Sequence, residues 1–314
     1  MGRFLLSRLS QVAVVVVLVC ITIFVLTNLL PGDPTVTILG EEATAEQRAK
    51  ARADYGLDLP APVRFAHWIG NAATGDLGRS LRSNEPVVRM LADRIPVTLQ
   101  LTLMSIVIAI LIGLPAGIVA ARFRGTLLDV AASIVAMTSV AIPYFWMGVL
   151  LIMLFALKLA WLPPSGYVPF LTDPVGNLKL MILPSLTIGT AFAALIMRQT
   201  RASLLQVLSQ DYIRSARAKG LSEPAVLLRH GLRNALIPVV TVVGFQLGTL
   251  MGASAIIEVI FGLNGVGYTL LQAIFNRDYP LVQAATLFLA TAFVLINLGV
   301  DLLYAYLDPR IKQG

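Results

Sequence analysis

The chain has 314 residues, 57% of them hydrophobic and only 13% charged, with a mean hydropathy of +0.81. Soluble chains carry roughly a quarter charged residues, so this composition excludes a soluble domain and leaves an integral membrane protein. The net charge of +7 would suit nucleic acid, but the basic residues are placed as a membrane protein places them. The single cysteine, Cys20, sits in an apolar run and excludes an intramolecular disulfide. The two histidines, His67 and His230, lie far apart and read as surface or structural groups rather than metal ligands.

In chain order, Arg3 and Arg8 precede an apolar run that ends at Leu30. This run is longer than the roughly 7–15 residues of a signal-peptide apolar region, and no small-residue cleavage site follows it. The first span, Leu9–Leu30, is therefore expected to stay in the membrane. Pro31-Gly32-Asp33-Pro34 ends it, and up to Ile95 the chain carries eight Lys/Arg against nine Asp/Glu. Within that stretch Thr44 and Gln47 have capping-box spacing ahead of an Ala-rich charged helix, which Gly56 can end. Trp68, Gly70, Gly75 and Gly78 then predict a turn-rich region. The stretch reads as a small folded insertion rather than a second domain with its own large core.

Five further apolar runs are each long enough to cross about 30 Å of hydrocarbon as a helix. They are Val97–Ala121, Ala131–Leu157, Leu180–Met197, Leu236–Ile260 and Val282–Leu307. Pro115, Pro143, Pro184 and Pro238 fall in or near them, either bending the spans or starting them. Lysines and arginines of the short connections set the orientation. With the N-terminus inside, the inner connections hold 13 and the short outer ones three (Lys158, Lys179 and Arg277). The chain thus divides into residues 1–30, the N-terminus and first span; 31–96, an extracytoplasmic loop; 97–307, a five-helix core containing the cytoplasmic segment 198–235; and 308–314, a cytoplasmic tail. The expected fold is an all-α membrane protein with six transmembrane helices and both termini cytoplasmic.

No Asp, Glu, Lys or Arg falls near the middle of an expected span; Asp129, Glu258 and Asp301 lie towards span ends, where water reaches them. The interior polarity is neutral, from Gln100, Thr102, Ser105, Ser133, Thr138, Ser139, Gln246, Thr249, Ser254 and Asn297. Gly113, Gly117 and the stripe Gly244, Gly248, Gly252 permit close helix approach. A proton-driven carrier needs a titratable group in its path, and none is evident. No Gly-Lys-Ser/Thr phosphate loop occurs, and the glycine spacing of Gly70 and Gly75 is a chance match. Active transport would therefore draw its energy from another chain. Both histidines lie in polar loops and no HExxH occurs, which argues against a membrane protease. An ion-gradient-driven secondary carrier or channel remains the alternative.

The one long basic segment of the second half is Asp211–Pro238, with Arg214, Arg217, Lys219, Arg229 and Arg233 against Asp211 and Glu223. Asp211 is expected to cap a short helix, Tyr212–Lys219, and Gly220 stands where a helix C′ glycine belongs. Ser222, Glu223 and Pro224 restart a helix, with a capping side chain and a proline in the first turn. The result is a stiff helix-turn-helix feeding directly into a span.

This segment resembles the coupling segment of bacterial ATP-binding-cassette importer permeases. Of that family's E-A-A-x-x-x-G pattern, Arg214-Ser215-Ala216 and Gly220 keep only the second alanine and the glycine. The I-x-L-P end is replaced by His230 and Leu232-Arg233. The departure is itself similar to the dipeptide/oligopeptide/nickel branch, with Tyr212-Ile213-Arg214-Ser215-Ala216-Arg217-Ala218-Lys219-Gly220-Leu221 and Arg229-His230-Gly231-Leu232-Arg233-Asn234-Ala235. Further segments agree in order along the chain: Leu30 to Pro34, Tyr55 to Asp58, Gly75 to Gly78, Arg94 to Leu99, Glu258 to Phe261, Gly265 to Gly267 and Arg277 to Pro280. The long first loop is similar to that of the first (B-type) of two permease subunits.

The resemblance implies an importer subunit that moves di- or oligopeptides, or related small solutes such as nickel chelates or sugars. Its implied partners are a second homologous permease subunit, two ATPase subunits, an extracytoplasmic solute-binding protein and the bilayer of a bacterial inner membrane, with no nucleic acid. The chain would be no enzyme and would bind no cofactor or metal, with ATP and Mg used by the partner ATPases. Carried over by position, Tyr212, Ile213, Arg214, Ala216, Arg217, Lys219, Gly220 and Leu221 form the coupling element, with Arg214 and Arg217 facing acidic residues of an ATPase. Glu258 with Phe261, and Asp278 with Tyr279, stand at outward span ends as an outer gate or binding-protein contact.

Overall fold

A computed structural model describes residues 2–29, 34–40, 42–54 and 56–307. Leu30 to Asp33, Tyr55, the Asp301 side chain and the tail 308–314 lie outside the described residues. The described residues are almost wholly helical, in the order α1 Gly2–Leu29, α2 Pro34–Leu39, α3 Ala45–Asp54, α4 Ala61–Ala73 and α5 Val87–Arg122. There follow α6 Leu127–Ala141, α7 Tyr144–Leu151 with a wide-turned extension Ile152–Lys158, α8 Pro174–Leu208 and α9 Asp211–Ala218. After them come the single turn α10 Glu223–Ala225, wide turns Val226–Leu232, α11 Arg233–Ile260, α12 Val266–Phe275 and α13 Tyr279–Leu307. Among the described residues, five helices are long and apolar enough to cross a membrane, and a sixth span is counted if the bent pair α6 and α7 is one.

That pair is the main departure from the expected spans. Ala131–Leu157 was expected as one helix, but the chain turns by 101° between α6 and α7. The cause is Pro143: it offers no N–H and pushes the preceding residue out of the helical region. Ile142 accordingly has φ −78° and ψ 123°. Pro184 and Pro238, by contrast, lie inside α8 and α11. The helices also outrun the apolar runs, since α8 continues to Leu208 beyond the expected end at Met197.

Contacts divide the chain into two units, residues 1–98 with 264–295 and residues 99–263 with 296–314. In the first unit, Val87 and Leu91 of α5, Val266 and Ala273 of α12, and Leu281, Val282, Ala284 and Ala285 of α13 form one buried cluster. Phe24 of α1 meets Phe65 and Trp68 of α4 at centroid distances of 5.3 and 6.4 Å, with the Arg64 guanidinium 5.9 Å from the Phe24 ring. The capping box is present: Thr44 N–H donates to Gln47 Oε1 at 2.9 Å and Gln47 N–H to Thr44 Oγ1 at 3.3 Å. Gly56, at φ +62°, closes α3 as expected. The turn-rich region is tied down by long-range bonds: Asp278 accepts from Ser80 Oγ, and from Leu81 N–H at 3.1 Å.

The second unit is built on α8, which packs against α6, α7 and α11. Its glycines set how closely the helices approach. A Cβ on Gly113 would lie 2.5 Å from the Ala193 carbonyl oxygen, and one on Gly117 2.7 Å from that of Met197. The 244–248–252 stripe does not act as a unit: a Cβ on Gly244 would collide with Val300, whereas one on Gly252 would meet nothing. Gln100 and Asn177 exchange amide hydrogen bonds, and Tyr167 O–H donates to Gln100 Oε1 at 3.3 Å. Burial pushes the Tyr167 phenol above its usual range, consistent with this donor role.

Two carboxylates expected near water are enclosed instead. Asp129 is buried and accepts two bonds from Arg201, at 2.6 and 2.8 Å, and one from Gly125 N–H at 2.9 Å. Glu258 is fully buried and accepts from Ser254 Oγ at 3.0 Å. A buried charge needs such partners because desolvation otherwise costs several kcal/mol, in the order-of-magnitude sense.

Candidate coupling segment

α9 has eight residues, too few to be stable alone in water. What holds it is one apolar face: Ile213 and Ala216, three residues apart, are buried together with Val226 and pack on Leu208 at the end of α8. Full burial of Ile213 contributes about 1.5–3 kcal/mol. Val226 is followed by Leu227, which is buried with Ala121 of α5, Leu204 of α8 and Ala235 of α11. The short helix is thereby seated on the end of α8 and on turns that are packed against the ends of α5, α8 and α11. Gly231 completes the seat, with room for a Cβ only 3.2 Å from Leu204 and 3.3 Å from Leu208.

The end of α9 is a Schellman turn. Gly220 N–H donates to Arg217 C=O at 2.9 Å and Leu221 N–H to Ala216 C=O at 3.4 Å. Such a turn places its C′ residue in the left-handed region, where a Cβ is penalised. Gly220 occupies that place with φ +79°. The glycine is thus required by the backbone and not by crowding, since a Cβ there would meet nothing within 4 Å.

Two expected caps are not made. Gln210, not Asp211, precedes the helix, and no side chain caps it. Asp211 lies within the first turn, where its carboxylate pairs with Arg214. Ser222 stands at the N-cap of α10 without a side-chain bond, although Pro224 does occupy the first turn. Glu223 instead takes the Arg217 guanidinium at 2.8 and 3.4 Å. This solvent-exposed pair bridges the glycine turn. Arg214 and Arg217, expected to wait for a partner's carboxylates, therefore both have intrachain ones.

Tyr212 is a brace that sequence reasoning did not assign. Its hydroxyl accepts from Asn234 Nδ2 at 2.8 Å, tying α9 to the start of α11 across 22 residues. The outward side of the segment remains open: Tyr212, Arg214, Arg217, Lys219, Gly220 and Leu221 are all exposed. The eight residues singled out in the sequence thus form one element, with Ile213 and Ala216 as its inner face and the other six as its outer face.

The other four candidates have a different character. Glu258 and Phe261 belong to the second unit and are both buried there; the Phe261 carbonyl accepts from Gly166 N–H at 2.9 Å. Asp278 belongs to the first unit and is buried beneath Ser80 and Leu81, with Tyr279 beside it half-buried. Asp278 therefore pins a loop.

Comparison with known proteins gives this geometry a setting. Residues 113–313 match the family described as binding-protein-dependent transport system inner membrane component, and residues 1–102 match its N-terminal companion. The chain belongs to this family. It is a transport component of a binding-protein-dependent system, which decides against the ion-driven carrier. The glutathione transport system permease protein GsiC of Escherichia coli (strain K12) is 43% identical over 312 residues, covering 99% of each chain. A Brucella abortus (strain 2308) protein named "Putative peptide transport system permease protein" is likewise 43% identical, with 99% of each chain covered. Among solved structures, an inward-facing MetNI methionine ABC transporter chain matches with TM-score 0.59 at 21% identity, covering 71% of this chain and 99% of its own. At that identity the likeness speaks for the permease fold alone, and it agrees with the all-helical architecture.

Proposed function

We propose that this binding-protein-dependent permease subunit moves di- or oligopeptides, and that the α9 segment is where it receives force from an ATPase. The two relatives named for glutathione and for peptide transport support the substrate class. The observation that carries the coupling role is the seating of α9: an outward-facing element whose buried face rests on Leu208 of α8 and on Val226, the start of turns that are themselves buried against the ends of α5, α8 and α11. A push on its exposed side reaches long apolar helices through packed side chains, without a flexible link.

In this reading a second permease subunit completes the pathway, two ATPase chains bind and hydrolyse ATP with Mg, and a solute-binding protein delivers the peptide. The chain lies in the bacterial plasma membrane with both termini and α9 inside, and it performs no chemistry of its own. ATP binding draws the ATPases together and biases the pore between inward- and outward-facing states. The test is reconstitution of the four-chain assembly with its binding protein in proteoliposomes. Peptide uptake that needs ATP and survives collapse of ion gradients supports the reading; uptake that follows a gradient without ATP refutes it.

A further inference from the structure

α8 and α11 flank an open cleft that the coupling account does not use. One stripe of α8, Leu195, Arg198, Gln199 and Ala202, faces Thr241, Val242, Phe245 and Gln246 of α11 across a cavity of about 690 Å³. That volume lies within the roughly 300–1,000 Å³ of small-molecule sites. Its polar groups are not mutually satisfied. Arg198 has no hydrogen-bond or ion-pair partner among the described residues, although Arg201, three residues on, is fully engaged by Asp129. Gln246 is more than nine-tenths buried and lines the same cleft. Its oxygen is within 3.4 Å of Thr249 Oγ1, while its amide nitrogen donates to no described residue.

Arg198 is exposed at the mouth of this cleft, beside the buried Gln246 amide, where the two can receive an oppositely charged group. Arginine is suited to it, since its planar fork meets a carboxylate with two parallel bonds. We propose that this cleft is a substrate subsite in which Arg198, assisted by the Gln246 amide, receives the terminal carboxylate of the transported peptide. The proposal rests on the peptide-permease reading and adds to it a residue that discriminates among substrates. Phe245, more than half exposed on the same wall, gives the peptide side chains an apolar surface. The open cleft keeps the contact weak enough for release.

The test uses the assembled transporter with its binding protein in proteoliposomes, supplied with tri-alanine or with tri-alanine amide. A guanidinium–carboxylate bond sets the expected effect at about tenfold. Arg198→Gln should cut the preference for the free acid by that factor and leave amide uptake within about twofold; Arg198→Lys should keep part of the preference. The binding protein's own selectivity divides out, because it is the same in every comparison. An acid-to-amide ratio unchanged in Arg198→Gln overturns the subsite while leaving the peptide reading intact. Failure of the wild-type assembly to import either peptide overturns both.

A second measurement guards against a variant that does not assemble. In the otherwise wild-type assembly, Ala202→Cys should be labelled more slowly by a thiol reagent when tri-alanine is present, and less so with the amide. Equal protection by both peptides overturns the proposal. So does a labelling rate that ignores peptide and follows the anionic-lipid content of the vesicles, which would make the cleft a lipid-phosphate site.

Discussion

Replacing Gly220 by valine separates a backbone requirement from a steric one. The residue sits at φ +79° with nothing within 4 Å of where a Cβ would stand. A bulkier residue therefore meets no obstacle, and the whole cost is conformational: about 1–2 kcal/mol for a side-chain-bearing residue held left-handed, with β-branching at the upper end. If the turn relaxes instead, the Schellman bonds from Gly220 and Leu221 are lost and Leu221 swings away. A shift of that size changes the population of the native turn roughly 5–30-fold. The seat of α9 on Leu208 and Val226 is untouched, so insertion and folding should persist. The assay is peptide imported per ATP hydrolysed in the reconstituted assembly. Gly220→Val should lower that ratio several-fold, Gly220→Ala less, and Gly220→Asn least, because asparagine tolerates the left-handed region. Normal coupling in the valine variant, or a loss ordered by side-chain volume with asparagine as impaired as valine, would refute the reasoning.

Other substitutions test other parts of the account. Gly113→Ala places a Cβ 2.5 Å from the Ala193 carbonyl oxygen; forcing α5 from α8 should cost about 1–3 kcal/mol, read as a lower thermal midpoint in detergent, whereas Gly252→Ala should leave it unchanged. Asp278→Ala removes the acceptor of Ser80 and Leu81, worth about 1.5–3 kcal/mol for a charged partner; proteolysis of the 79–86 turn should accelerate while peptide uptake keeps its salt dependence. Either Asp129→Ala or Arg201→Ala alone should reduce folded yield more than the double replacement, since each single change strands a charge. Equal yields would show that the pair is dispensable.

What could be read beforehand was local. The Thr44–Gln47 box and the glycines at 56 and 220 depend on residues three to six apart, and all three features are present. The six apolar segments and the α9 element were likewise visible in hydropathy and breaker residues. The enclosure of Asp129 was not, because its partner Arg201 is 72 residues away. Nor was the anchoring role of Asp278, which reaches across 198 residues to Ser80. Arg198 and Arg201 were read as loop because charge ended the apolar run, yet charged residues continue a helix readily, and α8 runs on to Leu208. The ten-residue helix α12 was missed for its length, too short for a span and without cap residues to announce it.

The central claim is that the outer face of α9 meets an ATPase. Cys20, the one native cysteine, is buried, so introduced thiols can be read without background. Lys219→Cys, on the exposed rim of the glycine turn, should crosslink to an ATP-hydrolysing chain in the assembled complex, with a yield that changes when a non-hydrolysable ATP analogue is added. A Leu171→Cys control, in the exposed loop between α7 and α8, should not crosslink. Crosslinking at 171 and none at 219 would contradict the account.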